Sequence, residues 1–383
     1  MTDTTPLFID TLQALAQLCR QLETSPWLAI DTEFLRESTY YPQFCLLQIA
    51  NQDIVACIDP LQLEDLEPLW QLLYRPEIIK VFHAGRQDLE IFYHLHGKLP
   101  APVFDTQIAA PLLGFSDQIG YAQLVAEVLG VQLEKGHSRT DWRKRPLSPQ
   151  QLQYAADDVR YLGPMYLELR QQLEKLHRLS WLEEDFATLT NPATYANPPE
   201  DAWRRIKGAR KLKGKQLAIL KQLASWRERT AVEHNLPRGW VLKDDLLCQI
   251  ARLRPKTPQA LAQLRGIGDK IIKRHGETIC RLIAETTASS TKEAPYQPPT
   301  RTPEQEALLD LLSAVVRLQA AEHHINPTVL ASRRDLEKFL DAPDDSKLCQ
   351  GWRQQLIGRD LQDFMAGKKR LQIEQGRVYL EAS

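Results

Sequence analysis

Two acidic residues follow the first strongly apolar segment of the chain. Asp31 and Glu33 come directly after residues 27–30 and are separated by one residue. Since side chains on a β-strand alternate between its faces, both carboxylates are expected on the same face. Two like charges side by side are costly unless a cation lies near them, and Mg²⁺ or Mn²⁺ prefers such oxygen ligands. A strand end turning into solvent gives the same short pattern, so the pair alone does not decide between these readings.

Further acidic residues occur at positions that can reach this pair. Asp88 lies just past an apolar run, in the first turns of a predicted helix. Tyr154 and Asp158 are four residues apart on another predicted helix and therefore share one face, whereas Asp157 points about a quarter turn away and is left out. Asp105 either caps the helix that follows it or supports the metal ligands. The carboxylates of Asp31, Glu33, Asp88 and Asp158, together with the phenol of Tyr154, thus predict a site for two divalent metal ions.

The loop before the helix of Tyr154 combines an aromatic ring with three cations. Trp142 is followed by Arg143, Lys144 and Arg145, a mixture suited to gripping phosphates with a base stacked nearby. A charge run is more often a solvated face, but its place directly before the acidic helix favours substrate contact. His83 is either a core histidine or a further substrate contact.

Alternating β-like and helical patterns from Trp27 to about Leu176 predict the elements that position these residues, a three-layer α/β domain. The predicted strands are residues 27–30, 44–50, 54–58 and 78–82. The predicted helices are residues 63–73, 86–95, 106–113, 122–129 and, as one long helix, 149–176. The early strands are joined by only a few residues, which implies an antiparallel meander and therefore a mixed sheet.

Two Pro-rich breaks divide the chain. They predict an α/β domain at 1–190, a linker at 191–203, a helical domain at 204–285, a linker at 286–303 and a second helical domain at 304–383. The two helical segments resemble each other at a distance of roughly 90 residues, which fits a duplicated small domain. We expect both to be purely helical.

Charge is distributed unevenly along the 383 residues. The formal net charge of -1 conceals -12 in residues 1–200 and +12 in residues 201–280. Seven basic and no acidic residues occupy 204–215, and we select four of them as nucleic-acid contacts: Arg210, Lys211, Lys213 and Lys215. A Gly266-Ile-Gly268 turn lies later in the same segment and supports that interpretation. An acidic domain joined to a basic one suits metal-dependent chemistry on a nucleic-acid backbone.

Three blocks of this sequence resemble a known set of motifs. Asp31-Thr-Glu33-Phe, His83-Ala-Gly-Arg-Gln-Asp88-Leu and Tyr154-x-x-x-Asp158 resemble the three exonuclease motifs of the DEDD superfamily, in its tyrosine-containing branch. Asp141-Trp-Arg-Lys-Arg-Pro-Leu147 resembles a signature of the bacterial ribonuclease D family, and the helical repeats resemble its tandem HRDC domains. The resemblance implies a ribonuclease H-like fold, followed by two all-α domains, for a 3′-5′ exoribonuclease that acts on tRNA precursors and other structured RNAs.

The resemblance also implies a role for each motif residue. Two metal ions, Mg²⁺ or Mn²⁺ and roughly 3.5–4 Å apart, would flank the scissile phosphate. Asp31 would bridge both ions, Glu33 and Asp158 would complete the water-activating site, and Asp88 would serve the other ion. Tyr154 would orient or deprotonate the attacking water, and nucleoside 5′-monophosphates would be released.

Two other functions remain open at the level of sequence. The same motifs occur in DNA 3′-5′ exonucleases, and a catalytically silent RNA-binding scaffold would keep the basic segment. The six scattered cysteines contain no C-x-x-C pair, and neither a secretory signal nor a membrane-length apolar run is seen. We therefore expect a cytoplasmic protein without a membrane contact, and we infer no obligate protein partner.

Overall fold

A computed structural model describes residues 5–133, 136, 140–286 and 301–383. Its main sheet has six strands: β1 Leu7–Ile9, β2 Trp27–Leu35, β3 Gln43–Ala50, β4 Val55–Ile58, β5 Ile79–Phe82 and β6 Val103–Asp105. Their spatial order is β1-β4-β3-β2-β5-β6. Strand β3 runs antiparallel to β4, whereas β1 pairs in parallel with β4, and β5 pairs in parallel with both β2 and β6. The predicted mixed sheet is confirmed.

Helices form most of the rest of the described chain. Those of the first half are α1 Leu12–Leu22, α2 Glu67–Leu73, α3 Arg86–His96, α4 Thr106–Ala109, α5 Tyr121–Leu129, α6 Pro149–Arg160, α7 Leu162–Lys175 and α8 Glu183–Leu189. Those of the second half are α9 Gly214–Glu233, α10 Arg238–Val241, α11 Asp244–Leu253, α12 Pro258–Ala262, α13 Asp269–Glu285, α14 Pro303–Glu322, α15 Pro327–Leu330, α16 Arg333–Asp341, α17 Gly351–Arg353 and α18 Arg359–Met365.

The structure corrects the prediction of one long helix over residues 149–176. Helix α6 ends at Arg160 and α7 begins at Leu162, with Tyr161 between them. Pro164 lies in the first turn of α7, where its missing N–H costs nothing but where continuation of the preceding helix would be disrupted. The acidic face of α6 therefore belongs to a helix of its own.

The prediction of a purely helical third segment is wrong at its end. Strands β7 Lys369–Glu374 and β8 Arg377–Ala382 form an antiparallel hairpin. The turn residues Gln375 and Gly376 both have positive φ, the backbone conformation that a tight two-residue hairpin requires. The Gln-Gly dipeptide is a weaker turn signal than Asn-Gly, and the prediction overlooked it.

The chain forms two compact units whose boundaries cut across the sequence segments. The first unit contains Met1–Glu33, Phe44–Thr194 and Thr300–Ser383. Its hydrophobic core includes Ala29 of β2 and Leu169 of α7 together with Leu312 of α14 and Phe339 of α16. The third sequence segment thus shares a core with the sheet.

The second unit is formed by Phe34–Gln43 and Tyr195–Pro299. Its core is built around α9 and α11 and includes the buried Trp203, which lies at the end of the predicted linker 191–203. The predicted linker 286–303 lies mostly outside the described residues. All six cysteine thiols are free, and no helix in the described ranges has the length and apolar character needed to cross a membrane.

Candidate active site

Along one face of strand β2, two buried core side chains are followed by two acidic side chains. Trp27 and Ala29 on this strand are buried in the core of the first unit. Asp31 and Glu33 continue the same alternating row and are only partly buried. The strand therefore fixes both carboxylates on one face, as the sequence predicted.

Asp88 is held in place from two sides. It lies in the first turn of α3, is 6% exposed, and accepts a hydrogen bond from the Thr32 hydroxyl, the residue between the two acids of β2. The loop before α3 is fixed by Asp105, whose carboxylate accepts from the Ala84 and Gly85 amides at 3.1 and 2.8 Å. Asp105 also caps α4 through the amides of residues 107 and 108. Asp105 thus supports the loop that positions Asp88.

Helix α6 carries the phenol and the last acid. Its start is fixed by a capping box, in which Ser148 and Gln151 bond reciprocally to each other's backbone amides. Tyr154 and Asp158 are one turn apart on this helix. The Tyr154 ring stacks on Trp142, with 6.3 Å between ring centroids and 28° between planes.

Burial, reinforced by mutual repulsion, raises the pKa values of this group of acids. Burial raises the pKa of Asp31 well above its ordinary value, and the charges of Asp88, Asp158 and Glu33 raise it further. Burial, followed by the charges of Asp158 and Asp88, raises the pKa of Glu33 to about 8. The pKa values of Asp88 and Asp158 are also raised, in both cases mainly by burial. The four acids therefore lie within reach of one another's charge.

This donor set fits hard divalent cations. A nearby cation would reverse the repulsion and favour the ionised form of every carboxylate. Within the described ranges, no three His, Cys, Asp or Glu side chains are gathered tightly enough to hold an ion by themselves. Mg²⁺ in phosphoryl-transfer sites commonly takes only one or two carboxylates and completes its shell with water and substrate phosphates. The acids are thus suited to divalent ions whose remaining ligands are water and phosphate oxygens.

Tyr121 belongs to the site, and the sequence reasoning missed it. Its hydroxyl donates to the main-chain oxygen of Asp157 at 2.8 Å. Burial and the charges of Asp158 and Asp31 raise its pKa. An aromatic residue at the start of a helix gives no sequence signal for such a contact. The bond ties α5 to α6 beside Asp158.

His83 is bonded inside the protein at both ring nitrogens. Nδ1 lies 2.9 Å from the Thr106 hydroxyl, and Nε2 lies 3.0 Å from the Ile119 carbonyl oxygen. Burial lowers the pKa of His83 to about 4, so the ring is neutral at pH 7. A substrate contact would require one of these bonds to break.

The loop of residues 142–145 divides into an inward and an outward part. Trp142 is 2% exposed and covers Tyr154. Arg145 also points inward: it pairs with the fully buried Asp59 and donates to the carbonyl oxygens of Trp142 and Cys45 at 2.7 and 2.8 Å. Only Arg143, which pairs with Asp141, and Lys144 are exposed. The expected stacking surface is therefore buried.

The four selected cations of the basic segment are all exposed and lie in the second unit. Arg210 and Lys211 belong to a 3-10 turn, and Lys213 and Lys215 lie at the start of α9. Gly266 of the later turn has a φ of 91°, which an L side chain rarely adopts.

Two family models match the chain. One, described as 3′-5′ exonuclease, matches residues 6–174. The other, described as HRDC domain, matches residues 216–283. All of the predicted motif acids and Tyr154 fall inside the first match. Helices α10, α11 and α12 and most of α9 and α13 fall inside the second.

Curated relatives and a solved structure match nearly the whole chain. Ribonuclease D of Acidiphilium cryptum (strain JF-5) is 41% identical, over 98% of this chain and 95% of that protein. Ribonuclease D of Bartonella henselae is 40% identical, over 93% and 89%. The crystal structure of Escherichia coli RNase D, an exoribonuclease involved in structured RNA processing, matches with a TM-score of 0.82 and 35% identity, over 95% of this chain and 99% of that chain.

Proposed function

Because the chain belongs to the ribonuclease D family of 3′-5′ exoribonucleases, we propose that five residues of the first unit hydrolyse the 3′-terminal phosphodiester of RNA. These residues are Asp31, Glu33, Asp88, Tyr154 and Asp158. The observation that carries this assignment is one of position: β2 presents Asp31 and Glu33 on one face, the Thr32 hydroxyl between them donates to Asp88, and the charges of Asp88 and Asp158 act on both acids of β2. The product would be a nucleoside 5′-monophosphate.

The four acids would hold two divalent cations, Mg²⁺ or Mn²⁺. Bound there, the cations would supply charge neutralisation at the phosphate and a more acidic water. The charges of the other three acids all raise the pKa of Asp31, which supports Asp31 as the ligand shared by both ions. The Thr32 hydroxyl keeps Asp88 turned toward β2.

Tyr154 would orient the attacking water by hydrogen bonding. Burial and the charges of Asp158, Glu33 and Asp31 raise the pKa of this phenol above its ordinary value near 10. The hydroxyl therefore keeps its proton at pH 7 and acts as a donor or acceptor for water. Its stacking on the buried Trp142 limits the directions in which the ring can turn.

The substrates we propose are the 3′ ends of tRNA precursors and other structured RNAs. This rests on the family resemblance and on the excess of basic residues in 201–280, which suits a polyanionic backbone. We also propose a cytoplasmic location, where such precursors would be trimmed and where free thiols persist.

Incubation with a 3′-extended tRNA precursor and either Mg²⁺ or Mn²⁺ tests this proposal. We expect release of 5′-monophosphates from the 3′ end, and none in EDTA. Asp31→Asn keeps the side-chain shape but removes the central charge, so the rate should fall by about 10³-fold, on the scale of losing an electrostatic group at a reacting centre.

The matched control is Asp53→Asn, an exposed acid in the same unit, which should retain full activity. A parallel digestion of single-stranded DNA of the same sequence measures how strictly RNA is preferred. Metal-dependent release that persists in Asp31→Asn would show that the site is assigned to the wrong residues.

A further inference from the structure

Strand β3 carries one polar side chain into the interior of the first unit. Gln48 is fully buried in a strand whose other residues from Phe44 to Ala50 are apolar. Neither its Nε2 nor its Oε1 atom has a hydrogen-bond partner among the described residues. A buried amide without hydrogen bonds costs free energy, and buried polar groups almost always bond either to protein or to ordered water. The Gln48 amide therefore calls for a partner other than a protein atom.

Gln48 points to the face of the sheet that packs against α6. It lies directly opposite Cys57 of the antiparallel strand β4, so the two side chains share a face. Cys57 Sγ lies 3.9 Å from the main-chain oxygen of Leu152 in α6. Ala50 is two residues further along β3 and so on the same face, and it belongs to the same hydrophobic core as Val159 of α6. Two separate contacts thus place Gln48 beneath α6.

The region beneath α6 lies close to the acids of the site. Burial is the main cause that raises the pKa of the Cys57 thiol to about 12, and the charge of Arg160 opposes this rise while that of Asp158 adds to it. Asp158 therefore lies near enough for its charge to act on Cys57. Leu152, whose carbonyl faces Cys57, precedes Tyr154 by two residues on the same helix. The way α6 rests on the sheet thus bears on both side chains that this helix contributes to the site.

The polar atoms beside Gln48 match the requirements of an internal water molecule. A buried water makes about three hydrogen bonds to polar groups that otherwise lack a partner. Gln48 offers a donor at Nε2 and an acceptor at Oε1. The Leu152 carbonyl oxygen has a second lone pair besides the one used inside the helix, and the Cys57 thiol is a weak donor. One water at this place would therefore bond to both the sheet and the helix.

We propose that Gln48 binds an internal water molecule that bridges its amide to the Leu152 carbonyl of α6. The bridge fixes the distance between the sheet and α6, and Gln48 is thereby a positioning residue for Tyr154 and Asp158. This second statement rests on the proposed function, since it takes those two side chains as part of the reacting site. The water site itself does not depend on it.

A crystal structure of the metal-free protein that resolves ordered water tests the water site directly. We expect one water molecule at about 2.7–3.2 Å from both Gln48 Nε2 and the Leu152 oxygen. Gln48→Met has a side chain of similar length without the amide, and its structure should lack this water. A Gln48 amide with no water bonded to it in the wild-type crystal would overturn the proposal.

Hydrolysis of a 3′-extended tRNA precursor with Mn²⁺ tests the positioning role. Gln48→Met should lower kcat by about 10-fold at unchanged KM, because a small displacement of reacting groups slows the chemical step without weakening RNA binding. Gln48→Asn keeps an amide and leaves room for the water, so it should recover most of the rate. Leu47→Met, a buried position on the opposite face of β3, is the matched control and should change neither quantity.

Melting temperatures separate the bridge from an amide that has no partner at all. In the latter case Gln48→Met would remove a desolvation cost, melt higher than the wild type and keep its kcat, which would overturn the proposal. The bridge predicts that Gln48→Met melts no higher than the wild type. If Gln48→Met does not fold, the wild-type crystal structure decides. Hydrolysis that persists in Asp31→Asn would contradict the proposed function and leave the water site standing.

Discussion

At the scale of single residues, burial and nearby negative charges raise the pKa values of the acids of the site, and this ties stability to pH. A carboxyl group whose pKa is higher in the folded than in the unfolded chain binds more protons when folded. Glu33, with a pKa of about 8, still binds its proton at pH values where an unfolded glutamate, with a pKa near 4.3, has lost it. Raising the pH between these values therefore favours unfolding.

We expect the metal-free protein to lose stability from this cluster as the pH rises from about 4 to about 8. Melting temperatures in EDTA measure the loss. Mn²⁺ should raise the melting temperature more at pH 8 than at pH 5.5, because the ion binds the deprotonated acids. Asp31→Asn removes one of the repelling charges and should flatten the dependence on pH.

The comparison of wild type with Asp31→Asn isolates the cluster from other titrating groups. His83 acts in the opposite direction, since its pKa of about 4 in the folded protein makes stability rise with pH, but it is present in both proteins. Equal slopes in the two proteins would show that the four acids do not govern the response.

The sequence predicted that Asp31 and Glu33 share a strand face and that Tyr154 and Asp158 share a helix face, because strand alternation and helical spacing fix the direction of neighbouring side chains. It could not predict the inward turn of Arg145, since its partner Asp59 is distant in the chain. Tyr121 was missed for the same reason: its contact with the Asp157 carbonyl depends on how α5 packs against α6.

At the scale of elements, the loop before α6 is anchored to the sheet by Arg145, and this predicts a large cost for a conservative change. Arg145→Lys cannot reproduce the two contacts with the buried Asp59 or the bonds to carbonyl oxygens. Lysine keeps a positive charge near Asp59, but it leaves buried hydrogen-bond acceptors without a donor at a cost of about 1–3 kcal/mol, so chemical denaturation should show a loss of that size. Lys144→Ala, at the exposed neighbouring position, should leave the free energy of unfolding unchanged within about 0.5 kcal/mol.

The close approach of α7 to β2 is a second constraint on the site. A Cβ at Gly163 would lie 2.2 Å from an atom of the Trp27 ring, and that ring is buried. Gly163→Ala should therefore push α7 away from the strand and displace Asp158 at the end of α6. We expect a destabilisation of about 1–3 kcal/mol, as for other overpacked sites, together with a lower kcat.

Gly120→Ala is the control for this change, because nothing lies within 4 Å of the added Cβ. Thermal unfolding and RNA hydrolysis should show a much smaller effect there. If both variants melted alike and were equally active, the contact of α7 with β2 would not be what positions Asp158.

Most strands and helices between residues 27 and 176 were predicted from the sequence, whereas β1, β6 and α1 were not. Strands β1 and β6 have three residues each, too few for alternation to be recognised. Helix α1 was also missed, although its buried leucines at 15, 18 and 22 follow helical spacing. The two short strands thus carried too little pattern to be recognised, whereas α1 carried a helical pattern that the prediction overlooked.

At the scale of the whole molecule, segments that are distant in the sequence belong to the same compact unit. The sequence separates residues 304–383 from the α/β segment by a Pro-rich break, whereas the structure places both in one compact unit. The buried Arg178 contributes to this, donating to the carbonyl oxygens of Leu112 and His323 at 2.8 and 2.7 Å. Such long-range bonds leave no periodic signal in the sequence.

A stack of four side chains joins the two parts of the first unit and allows a test of their coupling. Trp181 and Trp352 lie face to face, with 4.6 Å between centroids and 8° between planes. Arg178 lies 5.4 Å from the Trp181 ring centroid, and Arg353 lies 4.2 Å from that of Trp352. Aromatic and cation–π contacts each contribute about 0.5–1.5 kcal/mol beyond buried area.

Trp352→Ala should lower the free energy of unfolding by about 2–4 kcal/mol, since it removes these contacts and leaves Trp181 uncovered. Because both parts share one core, the loss should appear as an earlier melting of the first unit as a whole, with hydrolysis lost in the same transition. Ile373→Ala, at a position 74% exposed on the terminal hairpin, should cost less than about 0.5 kcal/mol. An additional low-temperature transition in Trp352→Ala that leaves RNA hydrolysis intact would instead show that residues 304–383 unfold independently of the sheet that carries the site.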